Sequence, residues 1–434
     1  MKYLSSVVRL LLLFSLTLFS LRAGVHRLSI DQIVEIALKQ SPDIDSSHLD
    51  FERAIERTKA AKSYYLPLVD LSADAGRGSR KLENRSREEM NLLTGSVGAS
   101  QLLYDFGKTA GRIESSREES MAYRANLQQI ISNKIYTVKR ACYDILKARS
   151  IIDVQHKNVT LQEQQLNRAR KFLLSGIKTI IDVSDAEVQV EQARLDLENA
   201  KYDLELKRAV LEEEMGSVPY GGSYIIRSEK LPLPDLSRKL PAVRRSLTQL
   251  ESYAFLHRYA LQRTAHDIRS ARSLVKSNRG AYYPELSAAA GYSAHYVPDT
   301  EALALPAQEG QVTLRMRWNL FSGYRTDAKV QEAKIAVLRA SSELQTVKLA
   351  IKHQVIESYI GVRRNKKNVF LSESIAKAAL KKLEQAQKRY ENDLSDYVEL
   401  QDAQQGYIQS LSDLVSAYYD YFIALAQLDH ATGR

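Results

Sequence analysis

Two hydrophobic periods run through this chain. From Val312 to Leu320, the apolar residues Val312, Leu314, Met316, Trp318 and Leu320 alternate with Thr313, Arg315, Arg317 and Asn319. A period of two predicts a strand with one dry face and one wet face. Leu286, Ala288, Ala290, Tyr292, Ala294 and Tyr296 alternate in the same way with Glu285, Ser287, Ala289, Gly291, Ser293 and His295. Together these stretches predict a β-hairpin over about 283–321. A similar pair, about Tyr65–Gly76 and Val97–Phe106, predicts another over about 65–106, around a loop rich in Arg, Glu and Asn.

The second period is three to four. Leu400, Ala403, Tyr407, Ser410, Leu414, Ala417, Tyr421, Ala424 and Leu428 are spaced alternately by three and four. Val183, Ala186, Val190, Ala193, Leu197, Ala200 and Leu204 follow the same rule, as do Val330, Ala333, Val337, Ala340, Leu344, Val347 and Ile351. These are heptad seams, with Ala or Ser in alternate layers to allow close approach of helices. No proline interrupts 112–215 or 325–432. Long helices are therefore expected over about 109–174 and 178–215, and again over about 325–391 and 396–431. A helix of more than 60 residues is about 100 Å long, and must pack lengthwise on neighbours.

The chain repeats itself at a fixed offset of 217 residues. Pro67 matches Pro284, Leu103 of "LYDFGKT" matches Leu320 of "LFSGYRT", Ala169 matches Ala386, and "DVSDA" from Asp182 matches "ELQDA" from Glu399. One unit is used twice, over 24–216 and 246–434, each ordered as helix, hairpin and long-helix pair. The segment 217–245 is rich in Pro and Gly and reads as a connector.

Strands of about 9–11 residues with one apolar face, terminal aromatics and a polar opposite face suit a membrane β-barrel. Tyr292, Tyr296 and Trp318 are candidates for its interfacial girdle, and Arg315 and Arg317 for its lumen. Four strands cannot close, and open edges are not tolerated in lipid, so several chains must share a barrel. Eight strands would be filled by side chains, whereas twelve leave room for a pore.

Composition adds limits. Lys2 and Arg9 precede a mainly apolar stretch, Leu10–Leu21, followed by Ala23 and Gly24. This predicts an export leader over 1–23. The formal charge of +10 falls to +7 without Lys2, Arg9 and Arg22. The excess is spread along helices, so no nucleic-acid partner is expected. Cys142 is the single cysteine, which excludes an internal disulfide and reads as a core residue. No phosphate loop, nucleophile motif or convergent histidine spacing appears. Neither catalysis, a cofactor nor a metal is expected.

Taken together, the duplicated "LYDFGKT"/"LFSGYRT" elements, the prolines opening the first strands, "DVSDA"/"ELQDA" and the opening "LSIDQIVEIALKQSPDI" resemble the TolC-type outer membrane efflux proteins. The resemblance spans nearly the whole chain after the leader. It implies a homotrimer in outer-membrane lipid, with a twelve-stranded barrel continuous with a long α-helical barrel across the periplasm. It further implies a passive exit duct for an inner-membrane pump and a periplasmic adaptor. The family's acidic periplasmic gate falls on Asp182 and Asp185, and on Glu399 and Asp402. Three copies of each would form a ring that attracts cations, although acids at helix N-termini also complement the helix dipole. The adaptor-docking tips fall on Ser175, Gly176 and Ile177, and on Asn392, Asp393 and Leu394. Asp393 stands where the family usually has glycine. Two rival readings remain at this stage: a periplasmic trimeric coiled-coil scaffold without a barrel, and a structural outer-membrane barrel or adhesin.

Overall fold

The computed structural model describes residues 26–80, 88–176, 179–218, 224–227, 236–237, 240–296, 308–392 and 394–434. The expected leader, Ile177 and Asp393 lie outside these residues. The first unit runs β1 (His26–Leu28), α1 (Ile30–Gln40), α2 (Pro42–Ser63), β2 (Leu68–Arg80), β3 (Glu88–Tyr104), α3 (Lys108–Leu174) and α4 (Ile180–Glu214). The connector contributes β4 (Tyr224–Ile226). The second unit runs α5 (Leu247–His257), α6 (Tyr259–Gly280), β5 (Glu285–Tyr296), β6 (Gln308–Arg317), α7 (Arg325–Glu391) and α8 (Tyr397–Thr432).

The opening helix of each unit is two helices rather than one. In the first unit Pro42 cannot donate to the preceding turn, so the chain breaks at Ser41 (φ −71°, ψ 118°). In the second there is no proline, yet Arg258 adopts the same conformation (φ −68°, ψ 120°). Arg258 is buried, and its guanidinium donates to the His430 carbonyl at 2.8 Å and to Gln354 Oε1 at 3.0 Å. Tertiary hydrogen bonds accompany there the break that proline accompanies in the first unit. Serine capping boxes, Ser29 with Gln32 and Ser246 with Gln249, start α1 and α5.

Helices α3 and α7 have 67 residues each, about 100 Å at 1.5 Å per residue. Helix α3 packs along α4, and α7 along α8. Helix α2 lies on α3, while α6 bridges α3 and α7. The seam residues Val183, Ala186, Val190, Ala193 and Leu197 are buried, as are Leu400, Ala403, Tyr407, Ser410 and Leu414. The repeat is visible in the core: Ile33, Ala37, Val138 and Leu211 are buried, and so are their counterparts Leu250, Ala254, Val355 and Leu428. The connector is less irregular than expected. Its β4 pairs in parallel with β1, Leu236 is buried, and the Ser237 amide donates to Glu373 at 2.8 Å.

Strands β2, β3, β5 and β6 form a four-stranded antiparallel sheet in the order β2-β3-β5-β6. Their limits differ from expectation. The first hairpin extends further towards its loop, because the ladder continues to Arg80 opposite Glu88. Phe106 has left the strand and takes φ +53°. Strand β6 stops at Arg317, so Trp318, Asn319 and Leu320 are not ladder residues. Arg317 is opposite Glu285, and the next residue along that strand is Pro284, which has no N–H to offer. The Trp318 indole instead donates to the Tyr282 carbonyl at 3.0 Å. Among the described residues no helix is long and apolar enough to cross a membrane.

Candidate functional site: a two-faced sheet joined to helical tips

The sheet has one face of each kind. Val69, Leu71, Leu93, Val97, Tyr292, Val312, Leu314 and Met316 share one face by register and are exposed, Leu71 to 80% and Val312 to 85%. A soluble protein seldom leaves so continuous an apolar surface bare. The other face carries Asp70, Ser72, Asp74, Ser96, Ser100, Ser287, Ser293, Thr313, Arg315 and Arg317. Among the described residues, strands β2 and β6 each keep one unpaired edge. Tyr292 lies on the apolar face and Trp318 just beyond β6, both half-exposed. Tyr296 ends β5, and its side chain is outside what is described. Reading the sequence missed a further aromatic group at the helical end of the sheet. Phe106 stacks on Tyr283 at 5.0 Å and meets Tyr104 edge-on at 4.8 Å. Their recurrence beside both "YDFG" and "AYYP" was the signal available.

The duplicated "YDFGKT" and "FSGYRT" elements turn strand into helix. Each places two consecutive residues at positive φ, Phe106 and Gly107 in one and Gly323 and Tyr324 in the other. The first helical N–H groups are then capped from the preceding residues. Thr109 N donates to Asp105 Oδ2 at 2.7 Å, and Thr326 N donates to Ser322 Oγ at 3.4 Å.

At the far end of the long helices lie the two tips. Gly176 (φ +72°) closes α3 with its amide on the Leu173 carbonyl at 3.0 Å, and Ser175 Oγ donates to the Lys171 carbonyl. Asn392 closes α7 through its side-chain bond to the Lys388 carbonyl at 2.7 Å, and the Leu394 amide returns to the Arg389 carbonyl at 2.8 Å. Leu394 is exposed, together with Leu174, Ile180, Ile181 and Val398. These last four apolar neighbours were not singled out in the sequence.

The four acids sit just past the tips, and three of them are engaged within the chain. Asp182 completes a capping box with Thr179, accepting from its amide and hydroxyl at 2.8 Å each. Glu399 faces Arg389 at 3.4 Å, and Asp402 pairs with Lys382 at 2.5 Å. Asp185 is exposed on the next turn. Lys382 and Arg389 were missed by reading the sequence, though for Lys382 a signal exists. In an antiparallel helix pair, residues equidistant from the turn meet. Lys382 and Asp402 lie ten residues either side of Asn392. The pairs Arg170–Glu187 and Glu163–Arg194 also share one midpoint, between positions 178 and 179.

Comparison with known proteins agrees with this geometry. A family model described as outer membrane efflux protein matches residues 33–217 and again 251–434. Outer membrane protein TolC of Vibrio cholerae is 23% identical, covering 98% of this chain and 95% of that protein. TolC of Salmonella enteritidis is 20% identical over 93% of this chain and 81% of its own length. The Campylobacter jejuni CmeC outer membrane channel superposes with a TM-score of 0.80 at 15% identity, covering 93% of this chain and 85% of that one. The outer membrane protein VceC of Vibrio cholerae gives 0.77 at 15% identity, over 93% and 96%. With its family match falling once on each half, and its helical pairs joined to a two-faced sheet, the chain belongs to the outer membrane efflux protein family and resides in the outer membrane.

Proposed function

We propose that three copies of this chain close one twelve-stranded barrel in the outer membrane, continued through the periplasm by their long helix pairs. The assembly is a passive exit duct, engaged at its helical tips by a periplasmic adaptor and loaded by an inner-membrane pump. The observation that carries this reading is the sheet itself. It has an apolar face for lipid, a polar face for a lumen and two free edges that only further strands can satisfy. Arg315 and Arg317 then face water. Tyr292, Tyr296 and Trp318 sit at the bilayer boundaries, in the manner of an aromatic girdle.

The acids Asp182, Asp185, Glu399 and Asp402 narrow the periplasmic mouth as rings of carboxylates, and favour cations there. Lys382 and Arg389 temper that field from within the same chain. Ser175, Gly176, Asn392 and Leu394 form the adaptor-facing tips with exposed Leu174 and Val398, and the same role is assigned to Ile177 and Asp393. An exposed apolar cluster at the end of a 100 Å projection (about 67 residues at 1.5 Å each) fits a protein partner better than solvent. Native mass spectrometry of the detergent-extracted protein tests the assembly. A three-chain mass is expected, and a monomer or dimer in mild detergent would count against the duct.

A further inference from the structure

The sheet joins the two units across β3 and β5, and this seam can be compared with the free edges. Within each hairpin the register is the same once the 217-residue repeat is applied. Leu68 opposite Ser100 corresponds to Glu285 opposite Arg317, and Asp70 opposite Gly98 corresponds to Ser287 opposite Arg315. The seam between units places Gly98 opposite Gly291 and Ser100 opposite Ala289. Carrying that seam forward by one unit gives the register of the seam still open, between β6 of one chain and β2 of the next. Arg315 falls opposite Asp74 of the neighbour, and Arg317 falls opposite Ser72, diagonal to both Asp70 and Asp74.

All four charged residues lie on the polar face, and all four are exposed. Among the described residues none of them has an ion-pair partner within its own chain. Glu285, opposite Arg317, is held instead by Lys108 at 3.1 Å. Directly opposed side chains in an antiparallel pair stand about 4.5–5.5 Å apart at Cβ, with diagonal neighbours within reach of a long side chain. The corresponding positions of the internal seam are neutral: Gly98, Ser100, Ser287 and Gly291. Packing does not impose this, since a Cβ at Gly98 would meet nothing within 4 Å.

We propose that Arg315 and Arg317 of one chain pair with Asp74 and Asp70 of the next, so that charge fixes the register of the barrel seam between copies and distinguishes it from the neutral seam within each copy. This rests on the three-chain barrel proposed above. A slip of one residue would turn the polar face to lipid, and hydropathy alone excludes it. A slip of two residues keeps the faces, and the charges oppose it.

Cysteine pairs test the register in outer membranes. Cys142 is fully buried and burial pushes its thiol up to about 12, so it contributes little background. Asp74→Cys/Arg315→Cys is compared with Ser72→Cys/Arg315→Cys and Gly76→Cys/Arg315→Cys under mild oxidation. The first pair is expected to link chains at least about tenfold faster, given the short reach of a disulfide. Equal or faster linkage of either shifted pair in an intact trimer overturns the register. A protein that is not trimeric by native mass, and links at none of the three, overturns the barrel and this seam with it. The charge itself is tested by Asp74→Arg, expected to lower the fraction of detergent-resistant trimer, and by Asp74→Arg/Arg315→Asp, expected to restore it. A swap that restores nothing overturns the pairing.

Discussion

Gly216 presses against the carbonyl of Gln40: a Cβ on Gly216 would lie 2.3 Å from that oxygen. The same joint recurs 217 residues on, where a Cβ on Gly433 would lie 3.2 Å from the carbonyl carbon of His257. Both glycines have positive φ, 72° and 81°, and both end the last helix of their unit against the break in its opening helix. The joint therefore needs glycine twice over, for backbone conformation and for room. Gly216→Ala is expected to destabilise by about 2–4 kcal/mol, combining left-handed strain with overpacking. Gly433→Ala, with the looser contact, is expected to cost about 1–2 kcal/mol. Thermal unfolding followed by circular dichroism measures both, and equal losses would contradict the ranking.

His430 supplies a pH dependence. Burial, and then the nearby Arg258 charge, push its imidazole down to about 4. Its ring lies against Tyr136, and Nε2 meets Asn133 Oδ1 at 2.8 Å. At pH 7 the ring is neutral in both folded and unfolded chains, so it contributes nothing there. Between pH 6.5 and 4 the unfolded chain takes up a proton that the folded chain refuses, so stability falls as pH falls. The ceiling is about 3 kcal/mol, at roughly 1.4 kcal/mol per unit. His430→Gln should flatten this part of the melting-temperature profile. A profile unchanged by the substitution would contradict the assignment.

The α7–α8 seam is a packing interface, and Leu414 in it is fully buried. Leu414→Ala should cost about 2–5 kcal/mol through lost burial and the cavity left behind. Urea midpoints with an unchanged slope would register it.

The proposed periplasmic mouth carries its own counter-charge. Lys382 lies 2.5 Å from Asp402, and this exposed pair adds little to stability. Lys382→Met should leave the fold intact while freeing the carboxylate, so cation selectivity in planar bilayers should rise. Asp402→Asn should lower it. Selectivity that moves the same way in both variants would remove Asp402 from the mouth.

Much of this fold is legible in the sequence, and the reasons are physical. The heptads ending at Leu204, Ile351 and Leu428 repeat often enough to declare long helices, and a duplication at constant offset declares two equal units. Strand limits are harder, because Trp318 and Leu320 continue the alternation after Pro284 has ended the ladder. The break at Arg258 leaves no local trace, since a buried guanidinium bonded to His430 and Gln354 accompanies it. At the tips the acids are readable but their partners are not, because Lys382 and Arg389 become neighbours only once the turn is placed.

A three-chain duct must conduct ions. Planar-bilayer recording of the purified protein tests it most directly, wild type beside a variant with Asp182, Asp185, Glu399 and Asp402 neutralised to Asn or Gln. Small cation-selective channels are expected from the wild type, and larger currents with weaker selectivity from the variant. A folded, membrane-inserted protein that passes no ionic current in either form would contradict it.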